Sequence, residues 1–175
     1  MSKRVKESFE ALIEQVKNNP KQSIAVFEAT SVLGTHLNVQ SKTRNFKFNF
    51  DEPEFLGGND SAPNPVEYVL ASLGACQAIV YRALASLNNI RLDGLNVKAK
   101  GYLDLQGFLG LDTTICPGFN KILFETEIIS DEEPDKLYQL SKQVEALCPV
   151  LDILSNPIQV SGKLTIKKKA AIALS

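Results

Sequence analysis

Residues 64–88 read NPVEYVLASLGACQAIVYRALASLN, and the fold turns on them. Asn64 can cap a helix, and Pro65 suits the first helical position, where its missing N–H would have no partner anyway. Glu67 stands three residues after the cap, as in a capping box. Beyond that start, Val69, Leu70, Leu73, Ala75, Ala78, Ile79, Val80, Leu84 and Leu87 occupy most of the helix circumference. A helix apolar on nearly all sides belongs inside a protein. Ala71, Ser72, Gly74, Ala75 and Ala78 are small and let other backbones approach, so the expectation is a central helix packed against another helix. Cys76 lies at its middle.

On the N-terminal side, Val5, Phe9, Leu12, Ile13 and Val16 form one stripe of an amphipathic helix that Pro20 ends. Three extended segments follow: Ser23 to Ala29, His36 to Ser41, and Arg44 to Phe50, where Phe46, Phe48 and Phe50 alternate with polar residues. Residues Asp51 to Asn64 have the Pro, Gly, Asn and Asp content of a loop. On the C-terminal side, Leu92 to Asp104 alternates as a strand, a glycine-rich loop holds Cys116, and Lys121 to Ile129 is extended again. Ser130 and the acidic run Asp131, Glu132 and Glu133 open another helix, which runs to Cys148-Pro149. Val150 to Leu154 adds a turn, Asn156-Pro157 ends it, and Ile158 to Ile166 is the last strand.

That order predicts an α+β fold, a mainly antiparallel sheet wrapped around central helices. The strands exceed what one small-residue helix can cover, so the expected form is a homodimer in which the sheet wraps central helices contributed by two chains. The division expected is a helix over residues 1–20, a single domain over 21–169 and a tail over 170–175.

Composition removes several function classes. The 175 residues carry 19 Lys and Arg against 20 Asp and Glu, a net charge of -1, which offers no broad attraction to nucleic acid. No run approaches the roughly 18 consecutive apolar residues of a membrane helix. His36 is the sole imidazole, which excludes multi-histidine metal sites, and no G-x-S-x-G elbow accompanies it for a Ser-His-Asp hydrolase. His36 reads most simply as a strand residue. The three cysteines, Cys76, Cys116 and Cys148, contain no C-x-x-C pair and suit a reducing compartment, so a cytoplasmic location without a metal is expected.

A buried thiol is more often a small apolar side chain than a nucleophile, and that reading of Cys76 stands beside the functional one. Cys148 lies at a helix junction before Pro149, where a thiol can be exposed and unpaired backbone N–H groups can stabilise its anion. Two thiols so placed could alternate between dithiol and disulfide, provided their Cα atoms come within about 7 Å.

Several strings together resemble the OsmC/Ohr family of organic hydroperoxide reductases. They are Asp51-Glu52-Pro53, Leu56-Gly57-Gly58-Asn59-Asp60, Pro63 to Tyr68, Leu73-Gly74-Ala75-Cys76, Leu103 to Gly110, Pro117-Gly118-Phe119 and Cys148-Pro149-Val150-Leu151-Asp152. The resemblance runs from about Ala25 to Ile166 and implies an intertwined homodimer whose peroxidase site lies between subunits and uses no metal, haem or flavin. It implies that Cys76 attacks the peroxide and becomes a sulfenic acid, that Cys148 resolves it as a disulfide, and that an external dithiol or dihydrolipoyl protein is the reductant.

The family uses an arginine oriented by a glutamate. A free thiol with pKa near 8.5 is only about 3% ionised at neutral pH, and a guanidinium raises that fraction. Arg44 is the candidate, with a solvated surface arginine as the plainer reading, and Arg82 is second. In the peroxidase branches the glutamate stands ten residues before the cysteine; here that position is Val66, and Glu67 stands nine before. At about 100° per residue Glu67 falls roughly opposite Cys76, so it reads as a helix cap as readily as an arginine partner. Cys116 has no place in a two-cysteine scheme. Tyr68, Tyr81, Phe55 and Phe108 either line a pocket for an apolar tail or pack in the core. Against the peroxidase stands a binding module whose dimeric pocket holds a small apolar or thiol-containing ligand without turnover.

Overall fold

The computed structural model describes residues 2–167. Its centre is helix α2, Pro65–Leu87. The capping box forms as read: the Glu67 N–H donates to Asn64 Oδ1 at 2.9 Å, and the Asn64 N–H donates to Glu67 Oε2 at 2.9 Å. At the other end Asn88 Nδ2 donates to the Leu84 carbonyl at 2.9 Å, and Asn89 turns the chain away at φ 54. By length and composition α2 could cross a bilayer. Here it carries buried Gln77 and Ser86 and packs on strand β4 (Gly94–Leu103) and helix α4 (Pro134–Leu147), so it is the core helix of this fold.

The strands form two antiparallel sheets, and β4 packs on α2. Strands β1 (Thr30–Leu33), β2 (Val39–Thr43) and β3 (Phe46–Phe50) form a meander, and β4 (Gly94–Leu103) pairs with β5 (Phe119–Ile129) from Gly94↔Ile129 to Leu103↔Phe119. The inward residues of the β4–β5 hairpin face α2. Gly74 lies at this contact, where a Cβ would meet the Val97 carbonyl oxygen at 3.4 Å, an ordinary packing distance. Helix α4 (Pro134–Leu147) closes the core by packing Leu140 and Val144 against Tyr81, Ala85, Ile90 and Leu92. Sealing a side chain the size of Tyr81 or Leu140 is worth about 1.5–3 kcal/mol each. Helix α3 (Leu105–Phe108) interrupts the glycine-rich loop, and α5 (Pro149–Ser155) follows α4 after one residue.

Helix α1 (Lys3–Asn18) lies against α2, tied by Lys6 Nζ donating to Asn89 Oδ1 at 2.8 Å. None of its residues is buried. The three-stranded sheet reaches the body through an aromatic contact: Phe48 and Phe50 lie 5.8 and 4.5 Å from the Tyr68 ring, and the Tyr68 hydroxyl donates to the Asn49 carbonyl at 3.1 Å.

Four expectations about strands change. Residues 23–29 are extended but join no ladder, and pairing begins at Thr30. His36 is not a strand residue; it holds the β1–β2 turn at φ 53. Arg44 is likewise in a turn, at φ 51, and β3 starts at Phe46. Residues 158–166 run extended without a strand partner among the described residues, leaving Val160 83%, Leu164 84% and Ile166 82% exposed. Alternating apolar residues specify an extended backbone, but a strand also needs an edge to bond. The tail over 170–175 lies outside the described residues.

Asp51 organises the loop before α2. It is 1% exposed, and its carboxylate accepts from the N–H groups of Glu52, Asn59 and Ser61 and from the Ser61 hydroxyl at 2.6 Å. Gly58 completes the fold of this loop, because a Cβ there would land on the Glu52 carbonyl. The Ser61 hydroxyl is the main reason the Asp51 carboxyl titrates below its ordinary 3.8, with burial opposing and the three N–H groups assisting. The stabilisation is therefore complete above that value and is lost as pH falls through the lower pKa of the folded state. Asp51→Asn is expected to lower the melting temperature at neutral pH, and the gap from the wild type should narrow below pH 3.8, as thermal denaturation across pH will read.

Candidate functional site

The third turn of α2 and the junction of α4 with α5 bring Cys76 and Cys148 together. Pro149 cannot continue α4, and it forces the preceding residue into an extended conformation, so Cys148 breaks the helix at φ -81 and ψ 109. Cys148 continues the buried stripe of Leu140 and Val144, one α-helical turn apart at each step, and is 1% exposed. The expectation of an exposed thiol at this junction is thus overturned, because α2 covers it. Cys76 is half-buried.

The two sulfurs act on each other. Burial pushes the Cys148 thiol above its ordinary 9.0, and a hydrogen bond to Cys76 with the charge Cys76 can carry pushes it further. The N–H groups of Leu151 and Val150, at the start of α5, pull the other way without prevailing. Cys148 therefore holds its proton more firmly than an ordinary thiol. The pair is asymmetric in its surroundings: Cys76 is half-buried, while Cys148 is enclosed.

The remaining sequence candidates are placed elsewhere. Arg44 is exposed at the tip of the β2–β3 hairpin with its guanidinium 5.0 Å from the Phe46 ring centroid, beside Glu28 and Lys42. No guanidinium is among the groups acting on Cys148. Glu67 is engaged in the capping box, as one of its two readings had it. Arg82 donates through Nη1 to the Leu92 carbonyl at 3.2 Å, which ties α2 to the strand entry. Cys116 is exposed in the β4–β5 connection. Among the described residues no three His, Cys, Asp or Glu side chains converge as metal ligands would.

The four aromatic candidates separate. Tyr81 is core at 1% exposure. Phe55 and Phe108 line a hollow with Leu56, Val66, Leu105 and Pro117, and Tyr68 lines an apolar groove with Phe50, Val69, Ser72, Val150 and Ile153. That groove begins one turn before Cys76 and two residues after Cys148. Sequence reasoning passed over Gln77, whose carboxamide is fully buried without a hydrogen-bond partner among the described residues. A lone amide in an apolar helix, next to the candidate nucleophile, was the available signal.

Residues 57–163 match the profile of the OsmC-like protein family. No curated protein matches the chain significantly. Among solved structures, the OsmC-like protein of Mycoplasma pneumoniae superimposes with a TM-score of 0.66 at 19% identity, covering 75% of this chain and 88% of that one. An organic hydroperoxide resistance protein OsmC, a predicted redox protein of Legionella pneumophila, gives 0.58 at 20%, covering 76% and 91%. An organic hydroperoxide resistance protein of Elizabethkingia anophelis gives 0.57 at 21%, covering 75% and 89%. Such identities speak for the fold, and the family profile spans more than half of the sequence, so this α+β chain belongs to the OsmC-like protein family.

Proposed function

We propose that the chain is a thiol-dependent peroxidase that reduces organic hydroperoxides. The observation that carries this reading is the asymmetric pairing of Cys76 with Cys148. The Cys76 thiolate attacks one peroxide oxygen, the O–O bond breaks, the alcohol leaves, and Cys76 becomes a sulfenic acid. Cys148 then attacks that sulfur, a disulfide forms, and water departs. An external dithiol or dihydrolipoyl protein restores the pair, attacking the Cys76 sulfur because Cys148 is enclosed. The cytoplasm supplies the reducing environment this cycle needs. The apolar groove from Phe50 to Ile153 suits the organic tail of the peroxide. The hydroperoxide-resistance names of the Legionella and Elizabethkingia proteins are in line with this substrate class.

A homodimer completes the site in this reading. On α2 the small stripe Ala71, Ser72 and Ala75, with Ile79 at 64% exposure, lies open. Residues 23–29 and 158–166 join no ladder among the described residues, and Ile24, Val26 and Phe27 are 83–90% exposed. Helix–helix contact across the small stripe and strand addition along those segments account for both. Arg44 holds a φ of 51 at the first central position of a two-residue turn, where glycine is ordinarily used. Such a conformation costs about 1 kcal/mol or more, and we assign its use to reaching the cysteine pair of the other subunit on the β1–β3 arm.

Sedimentation at micromolar concentration should find a dimer; a stable monomer would refute the shared site. Cys76→Ser should abolish reduction of cumene hydroperoxide, and Cys148→Ser should allow one turnover and then stop at sulfenic acid, measured by thiol titration and mass spectrometry. Cys116→Ser should retain most activity, and equal losses in all three variants would remove the assignment. Arg44→Ala is expected to slow peroxide attack about ten- to a hundredfold through the loss of a charge-assisted hydrogen bond, with Arg44→Lys recovering part. Glu67→Gln, which keeps both capping hydrogen bonds available, should stay within a few fold of the wild type in the same assay.

A further inference from the structure

Gln77 is 0% exposed within a single chain, and neither Nε2 nor Oε1 has a hydrogen-bond partner among the described residues. A second subunit cannot reach atoms that the first has already sealed. Burying a carboxamide unpaired is costly, and folded proteins seldom retain one without a use for it.

Its neighbours along α2 locate it. Leu73, Gln77, Tyr81 and Ala85 recur every fourth residue and form the sealed stripe of the helix. At one end Leu73 shares a cavity with Leu151 and Leu154 of α5. At the other, Tyr81 and Ala85 pack against Leu140 and Val144 of α4. Gln77 lies between those two contacts along the stripe, and the junction of the two helices that make them is Cys148, with no hydrogen bond joining the amide to it in the resting chain. In the reduced chain the groups acting on Cys148 are Cys76 and the N–H groups of Leu151 and Val150, and the Gln77 amide is not among them.

We propose that Gln77 is the hydrogen-bond donor of the resolving step, meeting the Cys148 sulfur as it sheds its proton and attacks oxidised Cys76. This rests on the peroxidase reading above. In the step the Cys148 S–H bond breaks, the S–S bond forms, the S–O bond of the Cys76 sulfenic acid breaks, and the hydroxide released takes the proton as water. Two electrons pass from the Cys148 sulfur to the sulfenic centre, so no further oxidant is needed. Enclosure makes the Cys148 anion expensive at that moment. The N–H groups of Val150 and Leu151 and the Cys76 side chain are the groups that act on Cys148 in the resting state. Once Cys76 is oxidised it no longer presents a thiolate, and an amide already desolvated costs nothing more to bring to the new charge.

The test uses the full-length protein in single-turnover reaction with cumene hydroperoxide, following peroxide loss, dimedone-trapped sulfenic acid and disulfide separately. Gln77→Met keeps the volume and removes the donor. It should fold with a melting temperature at or above that of the wild type, consume the first equivalent of peroxide at the wild-type rate, and form disulfide roughly ten- to a hundredfold more slowly. Its disulfide rate should also need a higher pH to reach half its maximum, whereas a packing role would leave the pH profile in place. Gln77→Leu serves if Met does not fold, and failure of both to fold assigns Gln77 to the core and overturns the proposal. Disulfide formation within twofold of the wild type in either folded variant also overturns it. A wild-type chain that consumes no peroxide would instead refute the peroxidase reading itself.

Discussion

The structure is organised by the need to bury α2. Twenty-three residues of mostly apolar side chain must be shielded from water, and α1, β4, α4 and α5 are placed by the parts of that surface they cover. The β4–β5 hairpin takes the Gly74 face, α4 takes the Tyr81 and Ala85 end, and α5 takes the Leu73 end. One side stays open, along Ala71, Ala75 and Ile79, and the chain has no further element among the described residues to lay there. The same shortage appears at the two extended segments, whose backbone hydrogen-bonding groups find no ladder. That open helix face and those two strand-like segments are the surfaces on which the proposed dimer rests.

The chemistry follows from a proline. Pro149 ends α4 and extends the backbone at Cys148, which aims that thiol at α2 instead of along the helix. Once there, it is enclosed by the packing that makes the core, and enclosure separates its acidity from that of an ordinary thiol. Two cysteines of identical intrinsic chemistry thereby acquire different surroundings. The amide of Gln77 is fully buried in the same layer without a partner among the described residues, as are the hydroxyls of Ser86 and Thr126.

Asp51 and the capping box show how the entrance to this layer is held. The carboxylate gathers four donors and closes the loop, and the loop delivers Asn64 and Pro65 in the geometry that starts α2. Glu67 is engaged here, one turn into the helix and far around its circumference from Cys76.

The sequence alone determined what short-range physics controls. The central helix with its cap, the β4–β5 hairpin, the break at Cys148-Pro149 and the mixed α+β order could each be read from spacing, capping residues and proline, because backbone conformation there depends on near neighbours. The quoted motifs likewise pointed to the OsmC-like family. Tertiary structure decided what depends on distant segments. It moved His36 and Arg44 from strands into turns, left residues 158–166 without a ladder, enclosed a thiol expected to be open, and placed Gln77 in the sealed stripe. Strand pairing needs an edge supplied from elsewhere in the fold, and the burial of a thiol or an amide is set by whichever element packs over it. Periodicity along one segment records the face that will be covered but carries no information about what covers it.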